Sequence, residues 1–292
     1  MTNTSLSPDL FQQVLHAQQN ELTEQAIYLK LSRVIRDAKN KEILKKIAMD
    51  EAGHAEFWHK ITSKKVLPRK FEIFWYTFLG RTLGITFALK LMEKGEDFAQ
   101  ESYKEIIKSI PDAENILQDE ERHEGELINM IEEEKLNYVG AIVLGLNDAL
   151  VELTGALAGL SFALQNTKII AFTGLITGIA ASMSMAASSY LSNKADGKEN
   201  AIKSSVYTGI AYIITVLLLV LPYFVLANYM HALIGTLCIT LIIIAAFNYY
   251  LAIAKDLKFW KRFWEMAGLS MGVSVTTFLI GIVVRVYFGV TI

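Results

Sequence analysis

Cysteine is almost missing from this sequence: Cys238 stands alone in 292 residues. No disulfide framework can form, and no four-cysteine zinc or rubredoxin-type iron site can be built within one chain. Proline is scarce as well, with four in all, so little interrupts long helices. The net charge of −2 leaves no excess of positive charge, which argues against a nucleic-acid binder. The opening MTNTSLSPDL has no basic segment leading into an apolar run. No cleavable signal peptide is therefore expected, and the soluble part is expected in the cytoplasm, where thiols stay reduced.

The charge that is present lies unevenly. Residues 1–136 hold 19 Lys/Arg and 24 Asp/Glu, whereas residues 137–292 hold 9 and 6. Hydrophobic residues make up 52% of the chain and the mean hydropathy is +0.32. The split predicts a charged soluble domain over 1–136 followed by a membrane domain over 137–292.

Helical spacing dominates the first part, and the fold class expected for the whole chain is all-α. Ser7-Pro8 offers an N-cap and a first-turn proline, and the pattern predicts helices over about 10–38, 41–65, 83–110 and 112–136. Asn40 is the expected break between the first two, and Pro68 and Pro111 stop the second and third. Four long helices with few breakers suggest an antiparallel four-helix bundle. Between the second and third lies an aromatic run holding Phe71, Phe74, Trp75, Tyr76 and Phe78. It is too short to span a bilayer well. It either covers the core as a crossover or lies at a membrane surface or subunit interface.

One pattern occurs twice. Glu21 and Tyr28 precede Asp50-Glu51-Ala52-Gly53-His54, and Glu96 and Tyr103 precede Asp119-Glu120-Glu121-Arg122-His123. Glu and His three apart share a helix face and can bind metal together, with facing glutamates completing the site. Carboxylates and imidazoles suit iron or manganese. With 21 Glu and five His in the chain, chance supplies only about 0.4 Glu-x-x-His pairs. A third pair, Glu56 and His59, lies on another face of its helix and reads as surface.

Residues 10–136 resemble the rubrerythrin branch of the ferritin-like family. The resemblance implies a di-iron site held by Glu21, Glu51, His54, Glu96, Glu120 and His123, with Glu93 as an additional carboxylate. Tyr28 and Tyr103 match tyrosines that lie just behind the metal ligands in that family. The rubredoxin part of complete rubrerythrins is absent, as one cysteine requires.

After Asn137, five apolar stretches over about 139–164, 169–191, 206–227, 230–254 and 266–288 are each long enough to cross a bilayer. The connections at 192–204 and 255–265 are rich in lysine, while the opposite ones carry only Lys168. Positive loops stay in the cytoplasm, so the N-terminal domain is expected there and the C-terminus outside. The first stretch carries Asp148 and Glu152 on one face. Each charge at mid-bilayer costs about 2.5–3.5 kcal/mol on insertion scales, so ion binding or proton transfer is the expected reason for both. The second stretch carries Met183 and Met185, whose thioethers are packing groups or soft ligands for a transition metal. Asn248, Tyr249 and Arg285 are weaker candidates.

The stretches G-L-N-D-A-L from Gly145 and S-M-S-M-A-A-S-S-Y-L-S from Ser182 resemble the vacuolar iron transporter family. That resemblance implies a dimer of five-helix subunits exchanging Fe²⁺ or Mn²⁺ for protons, with Asp148, Glu152, Met183 and Met185 along the path. Ser189 stands where the family often has a glutamate. The family's metal-gathering insert after the second helix is reduced here to 192–204. The two resemblances together look like the membrane-bound ferritin proteins. The expected function is export of Fe²⁺, Mn²⁺ or both from the cytoplasm across the inner cell membrane, driven by protons. The rival is a membrane-anchored di-iron peroxide reductase or ferroxidase.

Overall fold

The computed structural model describes residues 7–35, 37–129, 138–198 and 200–288, and for 95–105, 128–129 and 288 the backbone alone. The chain packs as two compact units, Met1–Glu133 and Glu134–Ile292. It is helical throughout, with no strand among the described residues.

The first unit contains α1 (Pro8–Ser32), α2 (Ala38–Thr62), α3 (Lys70–Thr82), α4 (Ile85–Ser109), a 3₁₀ turn over Pro111–Ala113, and α5 (Glu114–Asn129). Ser7 caps α1, its hydroxyl accepting from the Leu10 amide at 3.2 Å. α1 ends at Ser32 and α2 begins at Ala38, so the break precedes Asn40 instead of falling on it. Asp37 is the reason: its carboxylate accepts the Asn40 amide at 2.7 Å, which starts the helix at Ala38 and draws Asn40 into the first turn. The second break comes at Ser63, which turns into the left-handed region with φ of 54°. The aromatic run is itself a helix, α3.

Two apolar clusters hold this unit. Ile27, Leu31, Leu44, Ile47, Ile73, Leu89 and Met92 join α1 to α4. Val14, Ala17, Trp58, Ile106 and Ile116 tie α1 and α2 to α4 and α5. Between these apolar clusters in sequence lie the buried acids and histidines of α1, α2 and α5.

The second unit consists of α6 (Val139–Leu164), α7 (Thr167–Ala195), α8 (Ala201–Val225), α9 (Tyr229–Ala254) and α10 (Phe259–Phe288). All five are long and apolar enough to cross a membrane, which supports a multi-pass membrane protein. Its core runs through Leu150, Leu157, Ile170, Tyr212, Leu219, Tyr223 and Ile244. Glycines let backbones meet. A Cβ on Gly145 would lie 2.2 Å from the Thr208 carbonyl of α8, and one on Gly281 of α10 would lie 2.5 Å from the Gly159 carbonyl of α6. Such contacts are how helices gain packing in lipid, where apolar surface alone gives no driving force.

Candidate functional site

α1, α2 and α5 each turn acidic side chains toward one point. Glu21, Glu51, His54 and Glu120 bring their ligand atoms within 4.8 Å of one another, and the first three are buried. His54 Nδ1 lies 3.5 Å from Glu21 Oε2, 3.3 Å from Glu51 Oε2 and 3.4 Å from Glu120 Oε1. His123, also buried, has Nδ1 3.2 Å from Glu51 Oε1 and 3.8 Å from Glu120 Oε2. Glu51 and Glu120 thus each present one oxygen to either histidine. The ring centroids of His54 and His123 are 6.0 Å apart.

The remaining atoms of these groups are held from behind, and crosswise. Asp119 of α5 lies 3.3 Å from His54 Nε2, while Asp50 of α2 lies 3.1 Å from His123 Nε2. Arg122 ties the pair together, donating to Asp50 at 2.8 Å and pairing with Asp119. The Trp58 indole donates to Glu21 Oε1 at 3.2 Å. Helical spacing explains the pattern. In each D-E-x-x-H segment the aspartate sits one position before the glutamate, so it reaches around the neighbouring helix to the far nitrogen of the opposite imidazole.

The electrostatics follow from packing acids in a dry site. Burial pushes the Glu21 carboxyl well above its usual range, an effect opposed by His54 and reinforced by the charge of Glu51. Burial acts the same way on Glu51, but the imidazoles of His123 and His54 beside it outweigh it and hold this group down at about 2. For both histidines burial disfavours charge, yet the carboxylates win. His54 is raised far above the imidazole range by Glu120, Glu21 and Glu51, and His123 is raised to about 10 by Glu120 and Glu51. Negative charge collected in a low dielectric demands cations. Protons on the histidines or a bound metal ion would each supply them.

The donor set also suits a metal. Carboxylates with imidazole nitrogens are the ligands of iron and manganese, and His123 Nδ1 is buried without a hydrogen-bond partner although two carboxylate oxygens face it. Glu21, Glu51, His54 and Glu120 can therefore hold a metal ion. Glu93 is half-buried on α4 and lies outside that four-residue group. The Glu96 and Tyr103 side chains lie outside the described residues. Tyr28 is buried in the apolar core. Glu56 pairs with Lys60 at 3.2 Å on the surface, and His59 Nδ1 faces the Lys64 carbonyl at 2.9 Å.

In the membrane unit, Asp148 is half-buried and Glu152 lies one turn further along α6. The Tyr212 phenol of α8 donates to Glu152 Oε2 at 3.0 Å. Glu152 and Tyr212 stand in the wall of a cavity of about 490 Å³ between α6, α7 and α10, lined otherwise mainly by glycine, alanine and threonine. The amide oxygen of Asn147 is buried with no hydrogen-bond partner. Met183 and Met185, two apart on α7, do not share a side: Met183 is 68% exposed, and Met185 packs against the core. Asn248 is buried, its amide donating to the Ile244 carbonyl at 2.8 Å. Arg285 sits in the last turn of α10, over the Phe162 ring.

Residues 139–198 match the VIT family. The match covers α6 and α7 with the turn that follows. Together with the five apolar helices it supports a VIT-type membrane unit, and a VIT-type unit suggests a membrane transporter of metal ions. No curated protein matches the chain.

Sequence reasoning missed Trp58, Tyr212 and the crossed use of Asp50 and Asp119. A phenol in an apolar helix needs a polar partner, and that was the available signal for Tyr212. Nothing local marks Trp58 or says which aspartate serves which histidine.

Proposed function

We propose that this chain exports Fe²⁺, and Mn²⁺ through the same ligands, from the cytoplasm in exchange for protons. Residues 1–136 then form a ferritin-like, rubrerythrin-type domain whose di-iron site captures or senses the metal, and residues 137–292 form the transporter. One observation supports this reading above others. A buried carboxylate–imidazole cluster able to hold metal shares its chain with a VIT-type membrane unit that carries two acids on one face of α6.

In the soluble unit, Glu21, Glu51, His54, Glu96, Glu120 and His123 would hold two ions, with Glu51 and Glu120 each facing both histidines and Glu93 as an additional carboxylate. When bound, iron supplies ferrous–ferric chemistry. The chain's own part is positional. Asp50 and Asp119 fix the imidazole planes, and Trp58 holds Glu21 in place.

In the membrane unit, Asp148 and Glu152 take up either the cation or a proton. Protonating a carboxylate removes its ligand charge and releases the cation, which couples the two fluxes. Tyr212 steadies Glu152. Met183 and Met185 belong to the path, Met185 from the core side of α7 and Met183 from its outward side, which meets the partner in a homodimer. The protein sits in the inner cell membrane with its N-terminal domain in the cytoplasm and its C-terminus outside. The thioethers of Met183 and Met185 are soft groups that suit ferrous iron better than ferric, so the soluble unit serves the ferrous form.

Flux measurements test the proposal. Purified protein in liposomes should move Fe²⁺ and Mn²⁺ with opposite proton movement, and reversing the proton gradient should reverse the metal. Peroxide turnover without any metal flux would make the membrane unit an anchor and favour the oxidoreductase reading.

A further inference from the structure

The outer face of α3 plays no part in either centre. At 100° per residue, Phe74, Phe78, Phe71 and Trp75 fall within an arc of about 100° on this helix. They expose 63%, 45%, 75% and 44% of their surfaces. Phe78 stacks on both Phe74 and Trp75, so the four form one patch.

The patch cannot turn inward. The opposite side of α3 is locked by buried Ile73, Thr77 and Gly80, and Gly80 lies so close to Leu31 that an added Cβ would meet its Cδ2 at 2.5 Å. The connection leading into α3 is fastened to α1. The Gln18 amide donates to the Lys64 carbonyl at 3.1 Å, the Gln19 amide to the Leu67 carbonyl at 2.8 Å, and the Arg69 amide to the Thr23 hydroxyl at 3.0 Å. Exposed Lys70 and Arg81 border one edge of the aromatic arc, and Lys64 and Lys65 are exposed just before it. Residues 62–82 hold five cations and one carboxylate, and that carboxylate, Glu72, is paired with Arg69 at 2.9 Å. The surrounding 1–136 segment is acidic overall, with 24 Asp/Glu against 19 Lys/Arg.

We propose that α3 docks on the bilayer, its four aromatic rings in the interfacial layer and Lys64, Lys65, Lys70 and Arg81 on anionic lipid headgroups. Aromatic rings with a cationic border are what a helix lying in the interface presents. Lipid is always available to this unit, because the same chain carries five membrane-spanning candidates. A second copy fits less well. An isologous pairing of antiparallel α3 helices would set Lys70 against the partner's Arg81, like charge on like charge. The proposal does not depend on what the protein transports.

Photoreactive lipid tests it on the wild-type chain. Nanodiscs of phosphatidylglycerol and phosphatidylcholine would carry a diazirine near the top of the acyl chain. After illumination, the tryptic peptide 71–81 should bear lipid adducts, and their yield should fall several-fold without phosphatidylglycerol. Adducts on the spans with none on 71–81 would overturn the docking, and an unchanged yield in pure phosphatidylcholine would overturn the headgroup contact. A nitroxide at Trp75→Cys, in a Cys238→Ser background, separates the alternatives. Oxygen should reach it and a soluble nickel chelate should not, the reverse of a control label at Glu56→Cys. Free access by nickel would mean solvent. Shielding from both, with dipolar broadening, would mean a second copy. Either result would sink the proposal.

Discussion

Asp50 Oδ2 lies 3.1 Å from His123 Nε2, a contact between helices whose residues stand 73 positions apart. It has a counterpart in Asp119 and His54 at 3.3 Å, so each helix of the pair orients the imidazole of the other. Removing such a support leaves the ligands in place but frees the ring. Asp50→Asn and Asp119→Asn are each expected to weaken metal retention by about 10–100-fold while the fold persists. Competition against a chelator, followed by elemental analysis of the full chain, measures this.

Glu51 and Glu120 should behave differently from their neighbours. Each offers separate oxygens to both histidines, so losing either one disturbs both halves of the centre. The double variant Glu51→Ala, Glu120→Ala is expected to bind two fewer ions per chain than wild type. Unchanged stoichiometry by elemental analysis would remove both residues from the site.

Acidity should control the metal-free centre from both sides. His123, raised to about 10 from an ordinary value of 6.5, stabilises the fold fully below pH 6.5, and that contribution fades as pH climbs toward 10. Glu51, held at about 2 against an ordinary 4.5, contributes above pH 4.5 and loses its effect as pH falls toward 2. From these two groups alone, chelator-treated protein should melt highest between about pH 4.5 and 6.5, and Glu21, raised above the ordinary 4.5, draws the optimum toward the acid end of that window. Metal must displace the histidine protons, so loading at neutral pH should release acid and tighten as pH rises. Thermal melts across pH and a dye-monitored metal titration test the two halves.

Asp148→Asn keeps the shape of the side chain and removes its charge. The variant should insert and fold, with an insertion cost of about 3 kcal/mol relieved. Metal at the soluble centre should be unaffected, since no ligand is shared. Metal-driven proton movement, read by a pH-sensitive dye inside liposomes, should fall to background. Tyr212→Phe removes only the hydrogen bond to Glu152 and should slow flux without abolishing it. Near wild-type flux in Asp148→Asn would leave the proposed coupling without its main residue.

Packing in the membrane unit is open to a plainer test. Gly281→Ala drives a methyl to within 2.5 Å of a backbone carbonyl that cannot move aside alone. It should cost about 1–3 kcal/mol, the usual range for overpacking. Gly272→Ala, with nothing within 4 Å of the added carbon, should be neutral. Melting in detergent compares them.

Local rules made part of this legible in the sequence. The all-α class and the five spans follow from periodicity and apolar length, which need no knowledge of the fold. The approach of Glu51 to His54 follows from an i,i+3 spacing. Partnerships between helices do not. That Asp50 serves His123 rather than His54 depends on how α2 and α5 are paired in space. The same holds for Tyr212 and Glu152, 60 positions apart. Met183 and Met185 read as one motif, yet two residues on a helix are about 200° apart, and the structure sends them to different sides. The helix break precedes Asn40 because Asp37 competes for the cap, and a carboxylate at that position is as good an acceptor.

Helix α6, which carries Asn147, Asp148 and Glu152, is seated at Gly145 on the Thr208 carbonyl of α8 and at Gly159 beside Gly281 of α10. Main chain rests on main chain at both places, about one turn before Asp148 and about two turns after Glu152. A rod gripped in this way can neither slide along its axis nor roll about it without prising its neighbours apart. Any working cycle therefore shifts α6, α8 and α10 as a single block, or else holds them still and lets side chains and the remaining two helices do the moving.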